Sequence, residues 1–229
     1  MKKNIEKIEI KFCKNDNKLY RYSLIFSTKS DFTFNNECVV ILKNPSTTLL
    51  NEVEPEKTTQ TTQTTQTKVI NYSDQFKSFD ITTQHVIKLF ETDTTLSDCD
   101  GLSILNLIPL YETNPNNVQE SVDANIYTEN QKIIKERLSK AKKVLLAWGS
   151  FESFNKKVAN IFNKSKKDIV KIINDCPNIG LYEVRPRVCS IETENIGEAK
   201  PWHPQVWYFN ELNDEKESIK QACELIDNN

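Results

Sequence analysis

The chain has 229 residues, 27% of them charged, with a formal net charge of −2 at pH 7. This length suits one α/β domain with a full core, and the composition is that of an ordinary soluble protein. No apolar run approaches the length of a membrane span, and residues 1–7 lack the apolar segment of a secretory signal. We therefore expect a cytoplasmic protein with no membrane contact.

Cysteine and histidine usage gives no indication of a metal site. The six cysteines are widely spaced and form no Cys-x-x-Cys pair, which favours reduced thiols over a disulfide framework or a zinc site. Only two histidines are present, His85 and His203, so a histidine-rich metal centre is not expected. We predict neither a metal nor a cofactor.

Charge is unevenly distributed along the chain. Residues 132–171 contain twelve Lys or Arg against three acids, whereas residues 211–229 contain six acids against two lysines. A basic middle and an acidic end are compatible with one face that meets phosphates. Lysine-rich helices that serve only solubility would give the same pattern, and both readings stay open.

The first third of the chain reads as strands followed by a polar segment. Apolar patterning over residues 7–13 and 19–27 predicts a β-hairpin. A short β-branched run from Val39 to Leu42 predicts a buried strand that stops at Asn44-Pro45. Residues 51–78 include a Thr-Thr-Gln repeat without apolar side chains, which predicts a disordered insertion at about 51–78 within a single domain, 1–229.

Strands and helices alternate in the remainder. Asp80 is a candidate cap for a helix that extends to about Glu91. The elements expected after it are strands at 102–110, 144–149, 179–184, 188–191 and 206–209, and helices at 123–143, 154–174 and 214–226. This order predicts a three-layer α/β/α sandwich with a mostly parallel sheet and an antiparallel edge hairpin at the N-terminus.

Polar residues follow several of these strands. Ligands of open α/β sheets bind at the carboxyl ends of the strands, where Asn44, Asn106, Gly149 and the 201–204 turn would gather. Two carboxamides, one imidazole and the indoles of Trp148 and Trp202 would line such a pocket. Purely structural roles remain open: turn or cap residues for Asn44 and Asn106, a helix cap for Asp80, and a core position for Trp148. His85, a lone histidine in a helix beside apolar residues, is expected to be structural.

Five short motifs, in order, resemble an uncharacterised bacterial and phage domain family. They are Asn44-Pro-Ser-Thr47, Asp80-x-Thr82, Asn106-Leu-Ile-Pro109, Ala147-Trp-Gly149 and Pro201-x-His-Pro204. The resemblance covers most of the chain outside the Thr/Gln segment. Lys43 stands where that family has a leucine.

A more distant resemblance is to the uracil-DNA glycosylase superfamily, which implies a mechanism. It implies that Asn44 orients a water toward the anomeric carbon of a nucleotide flipped out of DNA, and that His203 stabilises the leaving base. By the same resemblance Asn106 reads the base. The remaining candidate binding positions are Pro45, Ser46, Thr47 and Gly149 at the strand ends, and Trp202, which could stack on the base.

Two further interpretations stay open. A non-catalytic nucleotide or nucleic-acid binding module would use the same pocket without hydrolysis, and an enzyme acting on free nucleotides would need no DNA contact. Sequence motifs for a nucleophilic serine or a glycine-rich phosphate loop are absent. Of these interpretations we favour a glycosylase-like hydrolase that acts on DNA.

Overall fold

The computed structural model describes residues 3–15, 18–45, 48–53, 64–73, 78–93, 96–112, 117–118, 123–176, 179–183 and 203–204. The strands are β1 (Lys7–Asn15), β2 (Lys18–Ser27), β3 (Glu37–Leu42), β4 (Gln66–Asn71), β5 (Gly101–Asn106), β6 (Ala141–Leu146) and β7 (Gly180–Glu183). The helices are α1 (Leu50–Val53), α2 (Ile81–Thr92), α3 (Ala124–Leu138) and α4 (Lys156–Asn174). No helix in these ranges is both long and apolar enough to cross a membrane. The strands predicted at 188–191 and 206–209 and the helix at 214–226 lie outside the described residues.

The described strands form one mixed sheet in the order β4-β1-β2-β5-β3-β6-β7. The pairs β4/β1, β1/β2 and β2/β5 are antiparallel, whereas β5/β3, β3/β6 and β6/β7 are parallel. The expectation of a mostly parallel sheet is therefore wrong for this part of the chain. The cause is β2, which pairs directly with β5 and so makes the hairpin a full member of the sheet.

The N-terminal hairpin is confirmed, but it does not form the edge. Strand β4 pairs with the outer side of β1 and takes the edge position. It lies within the segment predicted to be disordered, so that prediction is wrong at Gln66–Asn71. The physical reason is that Ile70 packs against the core and Lys68 forms an ion pair with Glu52 (Nζ to Oε2, 2.8 Å). Residues 54–63 and 74–77 of the segment lie outside the described residues.

Alternate residues of the central strands belong to two hydrophobic clusters, one on each face of the sheet. In β3, Val40 and Leu42 pack in a cluster with α2, which we call the α2 cluster. Val39 and Ile41 pack in a second cluster with α3 and α4, which we call the α3/α4 cluster. Because successive side chains of a strand point to opposite faces, both faces of β3 are covered. All six residues of β3 are buried.

Helix α2 follows its sequence prediction closely, whereas α3 ends earlier. Asp80 caps α2, accepting a hydrogen bond from the backbone N–H of Thr83 at 3.1 Å. Helix α3 ends at Leu138, and β6 begins at Ala141 rather than at Val144 as predicted. Helix α4 continues without a break through Ser165, whose hydroxyl donates to the Leu107 carbonyl at 2.6 Å.

Candidate functional site

Three parallel strands end at the same edge of the sheet. Leu42, the last residue of β3, is in register with Asn106, the last residue of β5. The pairing continues beyond the strands, because the N–H of Leu107 donates to the Leu42 carbonyl at 2.8 Å and that of Ala147 donates to Ile41 at 3.0 Å. The residues that follow β3, β5 and β6 are therefore neighbours, as the sequence predicts.

Asn106 is fully buried, yet its carboxamide makes no hydrogen bond within the described residues. Neither its Nδ2 nor its Oδ1 has a partner there. Its backbone carbonyl is bonded, accepting from Asn130 Nδ2 at 3.1 Å. Ile104 belongs to the α2 cluster and Leu105 to the α3/α4 cluster, so strand alternation places the Asn106 side chain on the α2 side. A turn or cap role does not account for an unbonded amide.

Asn44 and Pro45 follow β3 and close its end. The Asn44 side chain is half-buried, and its Nδ2 donates to the carbonyls of Glu112 at 2.6 Å and Pro45 at 3.2 Å. Pro45 is buried. The Asn44 amide is thus held in place through its nitrogen, which leaves the oxygen as the atom to accept a further hydrogen bond.

The segment His203-Pro204 packs against the end of β6. Gly149 has a positive φ of 72°, and a Cβ atom built on it would lie 3.0 Å from His203 Cβ. Glycine is therefore needed for both its conformation and the close approach. On the other side, Nδ1 of His85 in α2 lies 2.8 Å from the Pro204 carbonyl oxygen, which implies that Nδ1–H donates. His85, expected to be structural, thus anchors this segment.

Burial and neighbouring charge hold His203 neutral. Burial, with a smaller contribution from Lys43, lowers the pKa of His203 to about 4, against a weaker opposing effect of Asp80. Burial also lowers the pKa of Lys43 to about 8. The Lys43 ammonium lies 4.7 Å from the centre of the Phe154 ring and donates to the Ser150 carbonyl at 3.4 Å. At pH 7 the site therefore combines a neutral imidazole with a nearby cation.

A hydrogen-bonded network at Thr48 joins α2 to the strands. The Thr48 hydroxyl donates to the Asp80 carboxylate, and the Asp80 N–H donates back to that hydroxyl at 2.9 Å. The Thr48 carbonyl accepts from Arg21 Nη1 at 3.1 Å and from the Tyr111 hydroxyl at 3.3 Å. Asp80 thus is a helix cap, and its carboxylate is also bonded to two threonine hydroxyls.

Sequence reasoning placed some site residues and missed others. Asn44, Pro45, Asn106, Gly149 and His203 gather at one edge, whereas Ser46, Thr47 and Trp202 lie outside the described residues. Trp148 is fully buried in the α3/α4 cluster, as expected of a core residue. The residues missed as neighbours of the site are Arg21, Lys43 and Tyr111. Of these only Lys43 carried a local signal, a charge at the end of an apolar strand.

Three lysines of the basic middle of the chain line a cleft that is separate from the strand ends. A cleft of about 540 Å³ lies along α4, lined by Asn160, Asn163, Lys164, Lys167, Asp168, Val170 and Lys171. None of the strand-end residues named above lines it. Among the described residues, no group of three or more His, Cys, Asp or Glu is placed to hold a metal ion.

Comparison with known proteins gives one match. The model of an uncharacterised family, described as "Protein of unknown function (DUF1643)", matches residues 69–204. The match includes Asn106, Gly149 and His203 and begins after the Asn44-Pro-Ser-Thr47 motif. No curated protein and no solved structure matches the chain. The comparisons therefore confirm an uncharacterised family and provide no link to the glycosylase superfamily.

Proposed function

The chain belongs to the uncharacterised DUF1643 family, and we propose that it is a DNA glycosylase-like hydrolase. It would cleave the N-glycosidic bond of a modified or damaged base flipped out of DNA. The observation that carries this proposal is the buried, unbonded carboxamide of Asn106 at the end of β5.

Asn106 is suited to read a base edge. Buried polar groups are almost always hydrogen-bonded, and leaving one unbonded costs about 1–3 kcal/mol. A carboxamide presents one donor and one acceptor in a plane, which matches the donor and acceptor of a pyrimidine's pairing edge. Pairing with a flipped base would satisfy both Asn106 atoms in one step and offset part of the few kcal/mol that flipping costs.

Asn44 is suited to hold the attacking water. Its Nδ2 is engaged by the Glu112 carbonyl at 2.6 Å, so Oδ1 is oriented to accept a hydrogen bond from water. The water oxygen would bond to the anomeric carbon as the bond from that carbon to the base nitrogen breaks. The electron pair of the broken bond leaves with the base, and the proton of the water is lost to solvent. Pro45, which is buried next to Asn44, would shield one side of this position.

His203 is suited to stabilise the leaving base. With its pKa lowered to about 4, the imidazole is neutral at pH 7 and can donate one N–H to a base oxygen as negative charge develops. Gly149 permits the close approach of the His203 backbone and Cβ to the residues that follow β6. The cationic Lys43 would strengthen the same effect, and removal of one such donor typically costs about 2.7–4 kcal/mol of transition-state stabilisation.

The remaining assignments are part of the same proposal. The backbone and side chains of Ser46 and Thr47 would contact the sugar or phosphate, and Trp202 would stack on the base or wedge the duplex. The two core clusters support a three-layer sandwich, with α2 on one side of the sheet and α3 and α4 on the other. A single cytoplasmic domain acting on DNA is consistent with this arrangement.

Base release is the decisive measurement. The full chain would be incubated with DNA containing uracil, hydroxymethylated or glucosylated pyrimidines, and free base and alkali-labile sites would be quantified. We expect release from one of these substrates, reduced at least about 100-fold in Asn44→Ala and His203→Ala. Asn160→Ala, a change of an exposed asparagine on α4, serves as the matched control and should retain full activity. Release that survives both site substitutions would contradict the residue assignments.

A non-catalytic binding module is the second candidate, favoured by one observation. The Asp80 carboxylate, the one acid in the network beside the site, is bonded to the hydroxyls of Thr48 and Thr83 and to a helix N–H. It is therefore poorly placed to activate a water. Binding without hydrolysis is measured by adding the protein to a fluorescently labelled DNA duplex and following the anisotropy of the label. If no substrate releases a base while the wild-type protein raises the anisotropy and an Asn106 variant does not, the chain is better described as a binding module.

A further inference from the structure

We propose that Arg21 binds a phosphate group of the substrate through its Nε and Nη2 atoms. The inference rests on the proposed function in naming a nucleotide as the substrate, but the anion site itself is argued from the arginine and its neighbours. Arg21 is not among the motifs that resemble known families, and its role is independent of base chemistry.

Arg21 is a fully buried guanidinium with most of its donors unused. Its Nη1 donates to the Thr48 carbonyl at 3.1 Å, while Nε and Nη2 make no hydrogen bond within the described part of the chain. Asp80 connects to Arg21 through Thr48, since the Thr48 hydroxyl donates to the carboxylate and the Thr48 carbonyl accepts from the guanidinium. Buried donors without partners call for a specific explanation, because an unbonded charged group is costly.

A second buried arginine in the same protein shows what these donors are used for. Arg137 directs its Nε and Nη2 to one carboxylate oxygen of Glu37, at 2.8 and 2.6 Å. These two atoms form the edge of the guanidinium that matches the paired oxygens of carboxylates and phosphates. Arg21 presents the same edge without an acid from the described chain. The difference points to an oxyanion supplied from outside.

Arg21 lies at the same edge of the sheet as Asn106. Ser23 of β2 is in register with Leu105 of β5, and the N–H of Arg21 donates to the Pro109 carbonyl at 2.7 Å. Arg21 is thus beyond the carboxyl end of β5, where the chain passes Asn106. A nucleotide whose base pairs with Asn106 would carry its phosphate within the same region. We therefore assign the anion as a phosphate mono- or diester.

Tyr111 completes the subsite. Its ring centre lies 5.3 Å from Arg21 Cζ, and its hydroxyl donates to the same Thr48 carbonyl. Burial raises the pKa of Tyr111, and the adjacent Arg21 guanidinium, which also interacts with the phenol by hydrogen bonding, opposes this rise without reversing it. The phenol therefore stays protonated and adds no negative charge against an anion. Because Arg21 is fully buried, a phosphate reaches its Nε and Nη2 only if neighbouring residues such as Thr48 and Tyr111 move, and we therefore expect slow exchange.

Arginine side-chain NMR tests the site directly on the full chain. The sequence has four arginines, at positions 21, 137, 185 and 187, so [15N]arginine labelling gives four Nε–H resonances. Arg185→Lys and Arg187→Lys identify two of these, and Glu37→Gln identifies Arg137 by perturbing it. Inorganic phosphate is then titrated against NaCl at matched ionic strength. We expect a saturable change at Arg21 with phosphate alone and none at Arg137.

Additional titrations with nucleotides and DNA identify the source of the phosphate. Thymidine monophosphate should bind about tenfold more tightly than thymidine if a terminal phosphate is recognised. A change produced by single-stranded DNA and not by the mononucleotide would assign a backbone phosphate, and either result supports the site. No change at Arg21 with any of these, or an equal change in NaCl, would overturn it. Base release is measured in a separate experiment. If the glycosylase proposal fails there, the NMR titration still shows whether Arg21 binds a phosphate.

Discussion

Asn106 and Asn130 are two fully buried asparagines that differ in how their amides are bonded. Asn130 Nδ2 donates to the Asn106 backbone carbonyl and only its Oδ1 is unbonded, whereas both amide atoms of Asn106 are unbonded within the described residues. An unbonded buried amide reduces stability, while a bonded one contributes to it. The two residues therefore provide a matched pair for separating a binding role from a structural one.

We predict that Asn106→Leu stabilises the protein while it abolishes substrate recognition. Leucine has nearly the same shape and removes the unbonded amide, so the free energy of unfolding should rise by about 1–2 kcal/mol. Asn130→Leu, the control, should lower it by about 1–3 kcal/mol because a buried carbonyl loses its donor. Urea denaturation of both variants measures this. Equal losses of stability in the two would show that Asn106 has an ordinary structural role.

The two histidines allow a second prediction about single residues. Lys43 is one cause of the lowered pKa of His203 and does not contribute to that of His85, whereas Lys88 lowers the pKa of His85. Lys43→Met should therefore raise the pKa of His203 above about 4, and Lys88→Met should raise that of His85. Imidazole resonances followed against pH by NMR distinguish the two sites. Movement of both histidines in both variants would show that the changes are not local.

At the scale of the element, α2 is held to the strands through its first residues. We predict that Asp80→Ala lowers the free energy of unfolding by about 2 kcal/mol, at the upper end of the range for a lost cap, because the Thr48 hydroxyl also loses its acceptor. The control is Asp123→Ala, which removes the cap of α3 and should cost about 1 kcal/mol. Urea denaturation compares them, and an equal loss in both would mean that the Thr48 contact adds nothing.

The same elements show what the sequence could predict. The start of α2 was predictable because a cap and its helix are neighbours in the chain. The start of β6 was not, because Lys142 and Lys143 are held there by ion pairs to Asp98, a residue more than forty positions earlier. Strand β4 was missed for the same reason, since its pairing with β1 is long-range and its own composition is polar.

In the candidate site, too, residues placed by local patterns were predictable and residues placed by long-range pairing were not. Asn44, Asn106 and Gly149 were predictable neighbours because each follows a strand of one parallel set, and such strands end together. The position of Arg21 near the site was not predictable. Arg21 belongs to the N-terminal hairpin, which was expected at the edge of the sheet and therefore far from the site. Its place depends on β2 pairing with β5, which no local pattern in the chain indicates.

At the scale of the whole molecule, buried charges sit at both ends of the central strands. Glu37 begins β3 and is paired with Arg137, and burial raises the pKa of this carboxyl despite the arginine. Lys43, Arg21 and His203 lie at the other end. The carboxylate of Asp80 also lies at that end, bonded to Thr48 and Thr83. The two cations, Arg21 and Lys43, outnumber this one acid, which would favour an anion there if the proposed phosphate site is correct.

These ionisable groups also determine how stability depends on pH. His203 titrates near 4 in the folded protein and near 6.5 when unfolded, so between these values the unfolded chain binds more protons. Stability should therefore fall as pH decreases from 6.5 to 4. Lowered carboxyl pKa values, as at Asp98 and Asp100, add a loss below about pH 4. Burial raises the pKa of Glu37, so this carboxyl binds a proton more readily in the folded protein and opposes the His203 effect above about pH 4.5.

Comparison with His203→Gln isolates the contribution of the imidazole, because the carboxyl groups are common to both proteins. The wild type should lose about 2 kcal/mol more than the variant between pH 6.5 and 4, a value below the full shift because the ring is partly exposed. Urea denaturation at half-unit intervals of pH measures both curves. Parallel curves would mean that His203 is protonated as easily in the folded protein as in the unfolded chain. The neutral donor on which the proposed stabilisation of the leaving base depends would then be absent below pH 6.5.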